Sequence, residues 1–292
     1  MSLIGTMGSG VSALRTFMKG LEVIGDNIAN VNTTGFKSSE AKYADSFSNI
    51  LQRSAPGGTD TPSTATVGIG TGVTLSGVAT NFNQGSLAST GRETDLGISG
   101  NGYFHVRNPV DGTEYATRSG EFRWSDQGFL TTAQGYRVQG LVGSKLDATG
   151  DVVLSDLSKS TLQRQSVSIS RTGDVVEFYS DGTSTTTNRI LLQTFNDPSA
   201  LTKEGNNLYS SLIAAGPVGA KTGDPKLQVG DINAPGKNGL GTIQSGTLEL
   251  SNVDLTQEFA NLITTQRSFQ AGSRLVTVSD TVLEDVVNLK SR

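Results

Sequence analysis

Two residue types that often carry catalysis or bind metals are scarce in this sequence of 292 residues, which contains no cysteine and one histidine, His105, although Asp and Glu are plentiful. These counts exclude thiolate catalysis and zinc sites built from cysteine and histidine, and they argue against a histidine-dependent triad. His105 lies in a strand-like run beside Phe104 and Val106, with no second ligand type nearby, so we expect it to be structural. The sequence predicts no catalytic, cofactor-binding or metal-binding residue.

Two glycine-rich segments superficially resemble phosphate-binding loops. Residues 68–72 lack a third glycine at the required spacing, and residues 236–242 carry their lysine too early. Both segments therefore predict β-turns or bulges. Asn32-Thr-Thr matches a glycosylation acceptor, which we interpret as coincidental because no signal peptide is apparent. The adjacent acids Glu284 and Asp285 are interpreted as a solvated helix face.

The composition is typical of a turn-rich β protein, with 36 glycines and only 17% charged residues. The net charge of −4, without any basic block, argues against a nucleic-acid partner. No apolar run is long enough to span a membrane, and residues 1–20 lack a basic region followed by an unbroken apolar run. We therefore expect neither a transmembrane helix nor a cleaved signal peptide, and no small-molecule substrate.

The beginning of the chain has the periodicity of an amphipathic helix. Apolar side chains recur in alternating steps of three and four residues, which is a heptad pattern. The seam that this pattern predicts consists of Met7, Val11, Leu14, Met18, Leu21 and Ile28. We expect the helix to end near Asn30, where turn-forming residues begin.

The end of the chain predicts a second, longer helix over residues 254–291. Asp254 is its expected N-cap, with Gln257 at the reciprocal capping position. The predicted seam consists of Leu255, Phe259, Leu262, Phe269, Val276 and Leu283. A second apolar stripe takes over near the end and consists of Leu275, Val278, Val282, Val286 and Leu289.

The middle of the chain alternates short β-rich runs with Gly, Asn and Asp, which is typical of a sandwich or barrel. The predicted fold class is α+β, with the two terminal helices paired antiparallel as a coiled-coil-like stalk and an all-β central body. The expected divisions are a helical assembly domain (1–30 and 252–292), an extended junction (31–75) and a β body (76–251). Within that junction, residues 53–66 predict an irregular loop. One helix pair buries only one face of each helix, so this arrangement favours self-assembly.

Several motifs then make the sequence similar to one family. Residues 25–37, Gly-Asp-Asn-Ile-Ala-Asn-Val-Asn-Thr-Thr-Gly-Phe-Lys, resemble the N-terminal signature of bacterial flagellar rod and hook proteins. Residues 90–104, 115–130, 205–209 and 239–254 resemble the later motifs of that family, in the same order. The motif residues near the two chain ends are Asn27, Asn30, Gly35, Phe36, Ser251, Asn252 and Asp254.

The resemblance implies a non-enzymatic structural subunit of the flagellar hook–basal body. Its helices would form an inner tube, with β domains around it, in a helical homopolymer that transmits motor torque. It implies export by the flagellar type III apparatus without a cleaved signal peptide. The implied partners are further copies of the chain, the neighbouring rod, hook-cap and junction proteins, and the export apparatus.

Within the family, residues 43–47, 90–92 and 251–255 are most similar to the hook subunit, so the sequence predicts the hook, a universal joint. The short stretch between Gly140 and Gly205 and the loop at 53–66 favour the distal rod, a drive shaft, as the alternative. A secreted β-rich binding module or adhesin is a more remote alternative, since it would share the composition.

Overall fold

The computed structural model describes residues 2–54, 56–57, 63–143, 146, 148–155, 163–219 and 233–290. Contacts divide the chain into two compact units. The first contains Met1–Ala29, Ser39–Asn81 and Val253–Arg292, and the second contains Asn30–Ser38 and Phe82–Asn252. This division differs from the expected ranges, because much of the expected junction at 31–75 forms strands, two of which pack against the N-terminal helix.

In its described residues, the first unit contains both long helices and four strands. Helix α1 spans Ser2–Ala29 and helix α2 spans Leu255–Lys290, close to the predicted bounds. The strands are β1 (Ser39–Asp45), β2 (Ser48–Gln52), β3 (Val67–Gly70) and β4 (Val73–Thr80). β1 pairs antiparallel with β4, and β2 with β3. Of the helices in the described part of the chain, none is long and apolar enough to cross a membrane.

The second unit is built from short strands. They are β5 (Leu87–Ser89), β6 (Leu96–Ser99), β7 (Tyr103–Arg107), β8 (Glu114–Thr117), β9 (Phe122–Trp124), β10 (Leu130–Thr132), β11 (Arg137–Val142), β12 (Ala148–Asp151), β13 (Arg164–Ile169), β14 (Asp174–Tyr179), β15 (Ser184–Ile190), β16 (Leu192–Gln193), β17 (Thr202–Gly205), β18 (Leu208–Ser210), β19 (Thr242–Ser245) and β20 (Thr247–Glu249). A short 3-10 helix, Pro198–Ala200, precedes β17.

All strand pairs in the described part of the second unit are antiparallel. The main path of the large sheet runs β13-β14-β15-β11-β7-β8-β18-β17, and two small ladders pair β19 with β6 and β20 with β5. Alternating residues of β7 face two buried clusters, since Phe104 belongs to one and Tyr103 to the other. The α+β class is therefore confirmed, with a β-rich unit encoded between two terminal helices.

Candidate assembly surface

The two long helices pack antiparallel within the first unit. The Thr6 hydroxyl lies 3.4 Å from that of Ser279, Gly10 lies against Val276, and Gly272 lies against Leu14. Residue numbers therefore rise along α1 as they fall along α2. This antiparallel pairing is the one expected from two long helices at opposite ends of the chain.

Small residues allow the helices to approach closely. A Cβ atom added at Gly10 would lie 3.0 Å from Val276 Cγ2, and one added at Gly272 would lie 3.5 Å from Leu14 Cδ2. Gly5 and Gly8 have open space around them. Glycine lowers the helix propensity of the first turns of α1, but at Gly10 it also makes room for the partner helix.

The structure places the predicted seam residues on different surfaces. Nine of them are half-buried: Met7, Val11, Leu14, Leu21, Ile28, Leu262, Phe269, Val276 and Leu283. Met18, Leu255 and Phe259 are exposed, by 51%, 39% and 50%. On α2, the residues that complete the inward heptad are Thr265, Gly272 and Ser279, three residues after each apolar seam position rather than four. Their small or polar side chains gave no hydrophobic signal.

The second apolar stripe of α2 remains exposed, and we call it the outer stripe. Its members and their exposed fractions are Leu275 (56%), Val278 (60%), Val282 (38%), Val286 (55%) and Leu289 (76%). Exposed apolar surface of this extent is typical of an interaction site.

Another face of α1 packs against strands β1 and β4. The Thr16 hydroxyl donates a hydrogen bond to the Val73 carbonyl (3.1 Å), and the rings of Phe17 and Tyr43 meet edge to face. Partial burial raises the pKa of Tyr43 above its usual value. Part of the junction expected at residues 31–75 thus belongs to the first unit and packs against α1.

The motif residue Asn27 joins three elements of the first unit. Its side chain exchanges two hydrogen bonds with the backbone of Ser39 (2.8 and 2.9 Å) and donates a third to Glu258 Oε1 (3.1 Å). Asn27 is fully buried, so these bonds satisfy its amide group. Burial raises the pKa of Glu258, an effect that the hydrogen bond from Asn27 opposes.

Asp254 caps α2 as predicted. Its Oδ1 atom accepts hydrogen bonds from the backbone N–H groups of Thr256 (2.8 Å) and Gln257 (3.3 Å). The Gln257 side chain donates instead to Asn261 Oδ1, so the reciprocal half of the predicted capping box was wrong. A partner four residues later on the helix competes for the same amide.

The other motif residues lie in the second unit, around a buried cluster that the sequence did not predict. The Glu249 carboxylate accepts hydrogen bonds from Lys37 Nζ (2.6 Å), Arg118 Nη1 (3.0 Å) and the backbone N–H of Gly85 (2.8 Å). Lys37, Arg118 and Glu249 are all at least 96% buried, at 1%, 4% and 1% relative exposure. We call these three residues the ion cluster. The only sequence signal is a charge between two leucines, Leu248 and Leu250.

The ion cluster has two cations for one carboxylate. Burial lowers the pKa of Lys37, although the attraction of Glu249 opposes this shift. Burial also raises the pKa of Tyr103, whose ring lies 5.2 Å from the Arg118 guanidinium carbon, to about 12. Removing the carboxylate would therefore leave two buried positive charges.

Backbone contacts of the remaining motif residues hold distant segments around the ion cluster. Gly35 donates its N–H to the Glu249 carbonyl (2.7 Å), and Lys203 Nζ lies 4.7 Å from the centre of the Phe36 ring. The Asn252 side chain accepts from the Ser38 N–H (2.8 Å) and donates to the Asn83 carbonyl (3.0 Å). Residues 32–38, 83–85, 118 and 248–252 thus meet, although they are far apart in the sequence.

The remaining two motif residues are Asn30 and Ser251. Asn30 accepts two hydrogen bonds from Thr33, through its carbonyl and its side chain, and so stabilises the turn after α1. Ser251 is half-buried.

His105, the one histidine of the sequence, lies elsewhere in the second unit. His105 is 1% exposed, and its Nε2 atom lies 3.5 Å from Glu114 Oε2. Trp124 packs against a buried apolar cluster. Within the described ranges, no group of three or more His, Cys, Asp and Glu side chains is placed to hold a metal ion.

These features define an α+β protein with paired terminal helices, an exposed apolar stripe and sequence motifs that organise its structure. Three family models match the chain. Residues 7–37 match "Flagella basal body rod protein", residues 97–177 match "Flagellar hook protein FlgE/F/G D1 domain", and residues 244–289 match "Flagellar basal body rod FlgEFG protein C-terminal".

Full-length relatives agree with these models. The chain is 36% identical over 288 residues to the flagellar basal-body rod protein FlgG of Bacillus subtilis, covering 99% of this chain and 100% of the relative. It is 30% identical to FlgG of Caulobacter vibrioides, covering 96% of this chain and 100% of that protein. It is also 30% identical to FlgG of Buchnera aphidicola subsp. Baizongia pistaciae, covering 90% of this chain and 91% of that protein.

The chain therefore belongs to the flagellar basal-body rod protein family. The resemblance inferred from the motifs is confirmed, and the chain is a structural protein of the flagellar hook–basal body, not an enzyme. The relatives carry the names of rod proteins, so they support the alternative assignment, the rod, better than the hook.

Proposed function

We propose that this chain is a distal rod subunit, which polymerises into a stiff drive shaft between the motor and the hook. The similarity to FlgG rod proteins over the whole chain, without a large insertion in either partner, carries this proposal. In the same direction, residues 137–193 supply strands β11 to β16 of the β-rich unit, in the stretch where a hook subunit would need room for an extra domain.

Polymerisation would use the helical unit. The α1–α2 pair buries one face of each helix, and the outer stripe of α2 stays available to other copies. Its partners would be further copies of the chain, neighbouring rod, hook-cap and junction proteins, and the flagellar apparatus that exports it. Among the predicted seam residues, Leu14 and Val276 lie across the helix pair from Gly272 and Gly10, and in this proposal they hold the pair together and so present that stripe.

The location of this chain in the flagellum distinguishes the rod assignment from the hook assignment. A small epitope inserted after Gly182, which lies in an exposed turn between β14 and β15, would be labelled in isolated hook–basal bodies. We expect the label on the straight rod. Label on the curved hook would contradict the rod assignment.

The role of the helix pair is tested by Leu262→Asp, which places a charge at a half-buried position of the predicted α2 seam. We expect loss of polymer and of swimming. Thr264→Asp, at an exposed position of the same helix, is the matched control and should keep both. Normal assembly of Leu262→Asp would show that the seam is not needed.

A further inference from the structure

The second unit carries an open depression of about 490 Å³ on strands β9, β10 and β11. Its lining includes two arginines, Arg123 and Arg137, together with Trp124 and the turn that precedes β10. We call it the arginine depression. Its volume lies within the range of small-ligand sites, which is about 300–1,000 Å³.

Strand register places the two arginines side by side in the arginine depression. Arg123 of β9 and Arg137 of β11 both stand opposite Thr131 of β10. Residues that stand opposite one another on antiparallel strands lie on the same face of the sheet. Because neighbouring strands are about 4.8 Å apart, the two arginine Cα atoms are about 10 Å apart. Two arginine side chains at this separation are long enough to reach one small anion between them.

Arg137 is held in position by its neighbours. Its guanidinium carbon lies 3.8 Å from the centre of the Phe129 ring, and its Nη1 atom donates to Asp151 Oδ2 (2.8 Å). The buried Gln139 side chain donates to the other oxygen of Asp151 (2.6 Å) and so fixes this carboxylate. Among the described residues, the Arg137 guanidinium thus uses one of its five N–H groups. An arginine fork that is already oriented loses little conformational entropy when it binds a planar anion.

The other polar side chains of the arginine depression are available to a ligand. Arg123, Asp126 and Gln127 are exposed, and their side chains form no hydrogen bond or ion pair within the described ranges. Trp124 is half-buried and lies beside them. The depression therefore offers guanidinium donors, a carboxylate acceptor, an amide that can do both and an apolar ring.

The balance of charge argues against a polyanion as the ligand. Asp126 lies in the depression with the two arginines, and Asp151 neutralises Arg137 from beside it. A third arginine, Arg107 of β7, stands opposite Arg137 and has an acid, Glu114, opposite it on β8. The face has no large excess of positive charge, which a polyphosphate or a nucleic acid would need.

The chemistry of the lining favours one class of ligand. The guanidinium groups need one anion, and Asp126 needs a donor such as a hydroxyl group. A sugar that carries a carboxylate has both groups on one ring. Its C–H face is apolar, so it can pack against the Trp124 indole.

We propose that the arginine depression binds a sugar that carries a carboxylate group, either free or as one unit of a polysaccharide. Arg123 and Arg137 hold the carboxylate, Asp126 accepts a hydrogen bond from a sugar hydroxyl, and Trp124 packs against the ring. This site does not depend on the rod assignment, because all its residues belong to the second unit of one chain.

Fluorescence of the full-length chain measures this binding, since Trp124 is the only tryptophan and lines the depression. Titration with galacturonic acid should give a saturable change in its emission. Galactose differs only in lacking the carboxylate, and it should bind more weakly by about tenfold or more, the effect of losing a charged hydrogen bond. Absence of a saturable change with galacturonic acid, or equal affinity for galactose, would overturn the proposal.

Arginine variants locate the site. Arg123→Gln should weaken the binding of galacturonic acid by about tenfold or more and leave the thermal unfolding of the chain unchanged, because this side chain is exposed and unpaired in the described part of the chain. Arg137→Gln should weaken it to a similar extent. The matched control is Arg189→Gln, which removes a half-buried arginine paired with Asp174 outside the depression. The control should bind as the unmodified chain does. Unchanged binding by Arg123→Gln, or an equal loss in all three variants, would overturn the assignment.

Two further ligands identify the source of the carboxylate. Tighter binding of tetragalacturonate than of galacturonic acid would support the site as one for a polysaccharide, and equal affinity would support it as one for a single sugar. Trialanine carries a carboxylate but no sugar hydroxyls. Binding of trialanine as tight as that of galacturonic acid would assign the depression to a peptide and overturn the sugar.

Discussion

The ion cluster should respond very differently to the loss of its anion and to the loss of one of its cations. Glu249→Gln leaves Lys37 and Arg118 as two buried cations without a counter-charge. It also weakens the three hydrogen bonds that the carboxylate accepts. Removing one partner of a buried ion pair costs about 3–5 kcal/mol, so we expect a loss of that size in the free energy of unfolding.

Lys37→Met should cost much less, about 1–2 kcal/mol, because every remaining group keeps a partner. Glu249 would still accept from Arg118 and from the Gly85 N–H. The Asn83 carbonyl, which Lys37 also bonds, would still accept from the Asn252 side chain. The cluster would change from two cations and one anion to one balanced pair.

Urea unfolding of the full chain, followed by tryptophan fluorescence, measures both variants. Trp124 is the only tryptophan and lies in the same unit as the ion cluster, so its emission reports on that unit. Equal losses for the two variants, or a larger loss for Lys37→Met, would refute the reasoning. A loss below about 1 kcal/mol for Glu249→Gln would show that the carboxylate does not hold the two cations.

The pH dependence gives a second measure of the same cluster. Burial lowers the folded-state pKa of Lys37, so the stability linked to this group is lost as pH falls through that value and regained as pH rises. Without the Glu249 charge the pKa falls further. The deficit of Glu249→Gln should therefore shrink as pH rises from neutral toward 10.5, the ordinary pKa of lysine. A constant deficit over this range would contradict a lower folded-state pKa of Lys37 in the variant.

Three further predictions follow from the local geometry. Gly35→Ala should destabilise the second unit by several kcal/mol in the same fluorescence assay, because Gly35 has a φ of +69° and a Cβ atom there would lie 2.6 Å from the Ser119 backbone nitrogen. The control Gly135→Ala, at a φ of +88° with open space around it, should cost only about 1 kcal/mol. Equal costs for the two variants would contradict the close approach at Gly35. Glu258→Gln should raise the melting temperature of the helical circular dichroism signal near pH 7 and not near pH 4. Burial raises the folded-state pKa of Glu258, so the stability linked to its protonated form is lost as pH rises through that value. The same increase at both pH values would show that the effect does not come from the charge of Glu258. Residues 55–65 fall in the loop expected at 53–66 and lie mostly outside the described residues. If this loop braces neighbouring copies, its deletion should leave assembly possible but make the polymer easier to bend. Unchanged bending of the polymer in micrographs would contradict that role.

The spacing of apolar residues was sufficient to predict the two long helices but not all of the contacts between them. Helix formation depends on nearby residues, because each backbone hydrogen bond joins residues only four positions apart. The bounds of α1 and α2 and the Asp254 cap could therefore be predicted from the sequence. The inward face of α2 could not, because Thr265, Gly272 and Ser279 face α1 for reasons of size. Only the partner helix shows that a small residue is needed at those positions.

The motifs identified the family, yet they did not show what their residues do. Asn27, Gly35 and Asn252 are recognisable in the sequence, and each acts by bonding to the backbone of a distant segment. The ion cluster joins residues 37, 118 and 249, and no spacing rule relates positions so far apart in the chain. Sequence determined the helices, the β-rich middle and the family, because those depend on local periodicity and motif. Tertiary structure alone decided which charges are buried together, because that depends on which strands and loops the fold brings side by side.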